Sequence, residues 1–202
     1  MTAAKSRSLW SACLILMSAS SAALAQPPAP TGAAPTTGVR AEATRLIQDA
    51  ETKLTRLGEA IPAEKYTWRP SKDVRSVSEV LLHVAAGNYF IPKRLGTEPP
   101  AGLNPQGFEK STTEKAKVLD AVKQSFEHAK QAVAKLTDAD MEKTAPWFGD
   151  RQATFREISF FLGAHEHEHL GQTIAYARMI GVTPPWTEEQ QQRQKAQAQP
   201  KK

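Results

Sequence analysis

The chain has 202 residues and a formal net charge of +5, a length that suits one domain with unstructured ends. Its basic residues form no concentrated patch, so nucleic-acid binding is not expected. The single cysteine, Cys13, falls inside a predicted export signal, so the mature chain has no disulfide, no thiolate nucleophile and no thiolate metal ligand.

Residues 1–25 read as that signal. Lys5 and Arg7 give a positive start, Leu9 to Met17 is a short apolar run, and Ala23-Leu24-Ala25 offers a small-x-small cleavage site. The run is too short for a permanent anchor. The expectation is therefore a secreted or periplasmic protein with no stable membrane insertion after cleavage. Loss of Lys5 and Arg7 lowers the charge from +5 to +3. Residues 26–38, "QPPAPTGAAPTTG", cannot build a core and read as a linker.

The folded domain is expected over 39–186. A first helix is predicted from Val39, Ala43, Leu46, Ala50, Leu54, Leu57 and Ile61, spaced three or four apart, with Pro62 as its stop. A second begins at the capping box Ser76–Glu79. It carries Val80, Val84 and Gly87 on one face, with Leu81 and His83 at the edges, and ends near Pro92. A third is predicted from a box at Ser111–Glu114, with Val118, Val122, Phe126, Ala129, Val133 and Leu136 as its stripe. A fourth starts at Thr154–Glu157 and runs through Ile158, Phe161, Leu162, His165, His169 and Gln172 towards Ile180. Gly181 and Pro184-Pro185 close it. Strand signals are nearly absent. The expected fold is all-α, a four-helix bundle with at least one long crossover connection, for which the links at about 92–110 and 137–153 leave room. Residues 187–202, with four basic and two acidic side chains, read as a disordered polar tail.

The chemistry concentrates in "HEHEH", which holds three of the five histidines. His165 and His169 are four apart, share a face and continue the apolar stripe; His167 points elsewhere. Buried imidazole nitrogens need partners, and a divalent metal is one solution. His83 is the best third ligand from another helix, whereas His128 falls on the flank of its stripe and is expected to face solvent. A centre of His83, His165 and His169 would leave coordination positions for water or substrate, as catalytic zinc sites do. Imidazole alone does not choose between zinc, nickel, copper and iron. From the residues alone, a metal site and a set of hydrogen-bonded core histidines both stay open.

A protease reading competes, since "HEHEH" matches H-E-x-x-H with Glu166 as general base and Glu189 as a distant ligand. The helix breakers before Glu189 and the lack of strands argue against it. Glu166 is kept as a catalytic candidate without proteolysis, while Glu168 reads as a solvated charge. Gln172, one turn beyond His169, can hydrogen-bond a ligand imidazole or serve helix packing. Asn88, rotated about 140° from His83 on a regular helix, is not a ligand. Tyr89, Phe90, Trp147 and Phe148 could wall a pocket or belong to the core.

The segments from Tyr66 to Phe90, "YTWRPSKDVRSVSEVLLHVAAGNYF", and from His165 to Trp186, "HEHEHLGQTIAYARMIGVTPPW", resemble the DinB-like, damage-inducible family of metal-binding four-helix proteins. With the helix order, the likeness covers most of the stretch from Val39 to Trp186. It implies a three-histidine site, with His83 matching the second-helix ligand and His165 and His169 the last-helix pair. The implied metal is zinc or nickel. Some relatives are thiol-dependent transferases or isomerases, so a thiol-dependent transferase-like or hydrolase-like metalloenzyme acting on an unidentified small molecule is expected. An export signal departs from the cytosolic pattern and weakens the thiol reading. A non-catalytic metal-binding protein is the competing class. A dimeric stress-related interaction protein is a third, and a homodimer would show an apolar stripe on a long helix.

Overall fold

The computed structural model describes residues 37–198. The predicted signal and all but the last two residues of the predicted linker lie outside them. Helix α1 spans Gly38–Ala60, α2 Val77–Phe90, α3 Lys115–Ala134, α4 Phe155–Met179 and α5 Pro185–Ala198. The link between α3 and α4 adds a small antiparallel hairpin, β1 Thr144–Pro146 with β2 Gln152–Thr154, in register Ala145 to Ala153. Among the described residues no helix is long and apolar enough to cross a membrane.

Each long helix forms because one face can be buried. On α1, Ala43, Ile47, Ala50, Leu54 and Leu57 are fully buried, and Ile61 follows at the cap. Leu46, placed on the stripe by its spacing, is 39% exposed, and Ile47 takes its place. Helix α2 is short and buried on most sides, with Val77, Val80, Leu81, Leu82, Val84 and Ala85 all in the core. It starts where the sequence indicates. The Ser76 hydroxyl accepts from the Glu79 N–H and the Glu79 carboxylate accepts from the Ser76 N–H, a complete capping box. In α4 the Thr154 hydroxyl accepts from the Glu157 N–H. Its far end is closed by Gly181 at φ +83°, a conformation glycine adopts without steric cost.

Three features of the chain differ from what its local sequence predicts. Ser111–Glu114 is not a capping box: Ser111 closes the 3₁₀ turn Phe108–Lys110, Thr112 Oγ1 accepts from the Glu114 N–H, and α3 starts at Lys115. His128 does not face solvent. It is partly buried against the Tyr89 ring, 5.5 Å between centroids, and its Nε2 has no hydrogen-bond partner. The polar tail is helical to Ala198, because Pro185 suits a first helical position and the following Glu, Gln, Arg, Lys and Ala favour helix. Trp186 packs against the core, and Glu189 pairs with Arg56 of α1.

Helix α1 packs between α3 and α4, and α2 packs between the same two on the opposite side. Side-chain contacts fix the directions. Arg40 reaches Asp138 and the Leu136 carbonyl, while Lys115 reaches the Glu59 and Ile61 carbonyls, so α1 and α3 are antiparallel. Gly163 lies against Leu46 and His167 against Asp49, so α1 and α4 run parallel. Gly87 meets His165 and His83 meets His169, so α2 opposes α4. Helices α2 and α3 are therefore parallel neighbours. Residues 91–114 must return along the length of the bundle to join them, and this is the crossover. The second long link, with its hairpin, joins the diagonal pair α3 and α4.

Candidate metal centre

His83 of α2 and His165 and His169 of α4 come together, with one nitrogen from each lying within 4.8 Å of the others. The Nε2 atoms of His83 and His165 are 3.2 Å apart. Two nitrogens bound to one tetrahedral ion at ordinary metal–imidazole lengths are about 3.3 Å apart, so this edge has coordination spacing. The ring centroids of His169 lie 4.5 Å from His83 and 4.7 Å from His165, both edge-on.

The outer nitrogens are engaged in two of the three rings. His83 Nδ1 donates to Glu109 Oε1 at 2.5 Å, and the Glu109 carboxylate also accepts from Arg75 Nε at 2.7 Å and Nη2 at 3.3 Å. His169 Nδ1 donates to Gln172 Oε1 at 2.9 Å, and Gln172 Nε2 donates to the Tyr176 hydroxyl at 3.0 Å. Tyr176 meets Trp68 edge to face at 5.6 Å. The Tyr66–Trp68 segment is itself held to the start of α2, with the Val77 and Ser78 N–H groups donating to the Trp68 and Tyr66 carbonyls. A ring whose Nδ1 proton is committed in this way carries its lone pair on Nε2, as metal-bound histidines require. His165 differs, because its Nδ1 is buried without a partner.

Gly87 makes room for this ring. A Cβ there would sit 2.5 Å from His165 Cε1 and 2.9 Å from Nδ1. On its other side His165 stacks on Phe161, with centroids 6.1 Å apart and planes 24° from parallel. Burial, with His169 and His83 alongside, pulls the His165 pKa down to about 3. Burial also lowers that of His169, against the opposing effect of the Gln172 carbonyl. Burial pushes Glu109 upward, but Arg75 and His83 together hold it below the usual carboxylate value. His165 and His169 are thus pressed towards the neutral ring, the form that ligates metal, and among the described residues no other such cluster of His, Cys, Asp or Glu occurs.

The remaining candidates separate. His167 turns to α1, its Nδ1 2.7 Å from the Gly163 carbonyl oxygen and its Nε2 3.0 Å from an Asp49 carboxylate oxygen. Glu166 is completely buried and neither carboxylate oxygen has a partner. Burial raises its pKa well above the usual value, and the charge that adds to the shift is Glu51 of α1, so Glu166 belongs to the α1 side of α4. Glu189 pairs with Arg56 in a distant helix, which removes it as a third protease ligand. Asn88 is buried on the α3 side, donating to Ser125 Oγ. Trp147 and Phe148 do reach the site's flank: Phe161 packs against both, at 5.0 and 5.9 Å, and Phe148 is 70% exposed. Tyr89 instead packs on Phe108 and His128. Cavities of about 450 Å³ between α1 and α3 and about 470 Å³ beside Phe90, Arg94 and Pro146 are not lined by the three histidines.

Glu109 and Arg75 carried no signal in the sequence. Glu109 lies in the crossover, 26 residues from His83, and only the fold brings it there.

A family model described as the DinB superfamily matches residues 46–173. Among solved structures the chain is similar to a DinB-like protein from Bacillus cereus ATCC 10987, at 17% identity over 69% of this chain and 93% of that one, with a TM-score of 0.60. It is also similar to a DinB-like protein from Bacillus subtilis, at 19% identity over 70% and 93%, TM-score 0.54. A conserved protein from Enterococcus faecalis is similar at 13% identity over 70% and 96%, TM-score 0.56. At these identities the likeness is one of fold. No curated protein matches the chain.

Proposed function

The chain belongs to the DinB superfamily, and from that premise we propose that it is an exported metal-dependent enzyme whose centre is His83, His165 and His169. The observation that carries this reading is the donor set: three converging imidazoles and, among the described residues, no fourth protein ligand in the cluster. Three protein ligands with positions left over is the catalytic pattern, whereas structural sites are closed. Bound there, a divalent ion, zinc or nickel, supplies a Lewis acid.

The chain's own residues would do the rest. Glu109 and Gln172 hold two rings in the ligating orientation. His83, with about a quarter of its side chain exposed, opens the centre to solvent. Phe161, Trp147 and the exposed Phe148 offer an apolar flank for a small-molecule substrate. Glu166 is buried on the α1 side beside the Glu51 charge, which favours its protonated form and not that of a general base. Export rests on the run from Lys5 to Ala25 and predicts a periplasmic or secreted protein. The reaction class proposed is thiol-dependent transfer or hydrolysis.

A second reading, non-catalytic metal binding, rests on the same three imidazoles.

Elemental analysis of protein purified without added metal tests the centre. Wild type is expected to carry roughly one divalent ion per chain, as three-ligand sites do, and His83→Ala and His169→Ala are expected to lose it. Metal retained by both variants refutes the ligand set. A turnover screen with thiol co-substrates and simple esters and amides then separates the enzyme from the non-catalytic reading.

A further inference from the structure

The crossover 91–114 does more than connect α2 to α3. Its 3₁₀ turn Phe108–Lys110 lies against α2 and presents two adjacent side chains. Phe108 meets the Tyr89 ring edge to face at 6.0 Å. Glu109 takes a 2.5 Å hydrogen bond from His83 Nδ1, and Arg75, just before the α2 cap, holds its other oxygen at 2.7 Å. The Arg75–Glu109 pair is itself 40% and 31% exposed, and an exposed ion pair contributes little to folding. Its geometric effect is larger. An imidazole whose Nδ1 proton is committed to a carboxylate keeps Nε2 free, with its ring plane fixed.

We propose that Glu109 is a positioning residue for the metal ligand His83, so that ion binding at the centre and docking of the crossover onto α2 are one linked equilibrium. The inference rests on the three-histidine reading and adds regulation of that site. Its logic is reciprocal. If the docked crossover raises affinity for the ion, the ion must stabilise the docked crossover by the same free energy. The chain would then report occupancy of its centre through a segment that packs on α2.

Zn²⁺ is the probe, titrated against a chromogenic chelator into full-length wild type, Glu109→Ala, Glu109→Gln and Arg75→Ala. Glu98→Ala, an exposed change in the same crossover, is the control. Circular dichroism establishes that each variant is folded, and Arg75→Ala carries the test if Glu109→Ala is not. Glu109→Ala is expected to weaken Zn²⁺ binding 10- to 100-fold, the range for losing a carboxylate behind a ligating histidine. Glu109→Gln, whose amide oxygen can still accept from Nδ1, should recover part of that loss. Amide exchange is the second readout. The Lys110 and Ser111 amides donate within the turn, to the Gly107 and Phe108 carbonyls. Zn²⁺ should slow their exchange in wild type and not in Glu109→Ala. An affinity in Glu109→Ala within twofold of wild type, or exchange in wild type that ignores Zn²⁺, overturns this inference alone. Wild type that binds no Zn²⁺ overturns the metal centre, and this inference with it.

Discussion

Gly87→Ala tests the centre by steric displacement of one ligand. Gly87 lies one turn beyond His83 on α2, directly under the His165 ring. The added methyl would stand 2.5 Å from Cε1 and 2.9 Å from Nδ1. Carbon contacts are comfortable at about 3.5 Å, so the ring must retreat by roughly 1 Å. It cannot slide freely, because Phe161 stacks on it at 6.1 Å and the other two imidazoles lie 5.1 and 4.7 Å away. Metal–ligand lengths tolerate only about 0.2 Å. Loss of the His165 bond should therefore weaken Zn²⁺ binding at least tenfold, which is about 1.4 kcal/mol. The fold should suffer less. Alanine is better than glycine inside a helix by about 1 kcal/mol, against an overpacking cost of about 1–3 kcal/mol. Gly58→Ala is the matched control, because its methyl would meet Leu119 Cδ2 at 2.8 Å on the α1–α3 contact, away from the histidines. Chelator competition gives the affinity and urea melts of the metal-free protein give the stability. Wild-type Zn²⁺ affinity in a folded Gly87→Ala would refute the placement of His165 as a ligand over Gly87.

Two further outcomes are expected. Gln172→Leu removes the acceptor at His169 Nδ1 and the donor to Tyr176, and should lower Zn²⁺ affinity about tenfold, whereas Tyr176→Phe, one bond further out, should lower it less; equal affinity in wild type and Gln172→Leu would show the hydrogen bond to be packing only. Glu166 has a raised pKa from burial and from Glu51, so the folded state keeps a proton that the unfolded chain releases above about pH 4.3, and its contribution is present at acid pH and lost as pH rises. In chelator-treated protein, the stability difference between Glu166→Gln and wild type should therefore shift in favour of the glutamine variant from pH 4 to pH 8, and parallel stability curves would refute the buried, unpaired carboxyl.

Much of this was legible because local rules and tertiary packing agree. The stripe Ala43, Ala50, Leu54, Leu57, the box Ser76–Glu79 and the closing Gly181 each describe a residue whose neighbours in sequence decide its role. The His165–His169 pair was legible for the same reason, as was Gln172 one turn on. Legibility failed where two local uses compete for one residue. Ser111–Glu114 has the spacing of a cap, but Ser111 is already the end of the Phe108–Lys110 turn, so the helix waits for Lys115. It failed again where the partner is distant in sequence. No periodicity links Glu109 or Arg75 to His83, and the flank position of His128 gave no warning that Tyr89 would cover it. The last helix was hidden by composition, since glutamine-rich, charged sequence reads as tail until Trp186 and Arg56 give it something to pack on.

Helix α4 carries two adjacent departures from the rule that buried polar atoms find partners, and they differ in kind. Glu166 is buried with both oxygens unpaired, and burial together with the Glu51 charge favours its protonated form. His165 is half-buried with its Nδ1 enclosed and unpaired, but its Nε2 stands 3.2 Å from that of His83, with His169 beside them. Protonation does not relieve this arrangement. A proton shared between His83 and His165 can satisfy one nitrogen pair, and a second would place like charges at contact distance in a desolvated site, which is why burial and its two neighbours press His165 towards the neutral form. The cluster brings three imidazoles together, orients two of them through Glu109 and Gln172, and makes room for the third with a glycine at 87, which is the donor set and spacing a cation site needs.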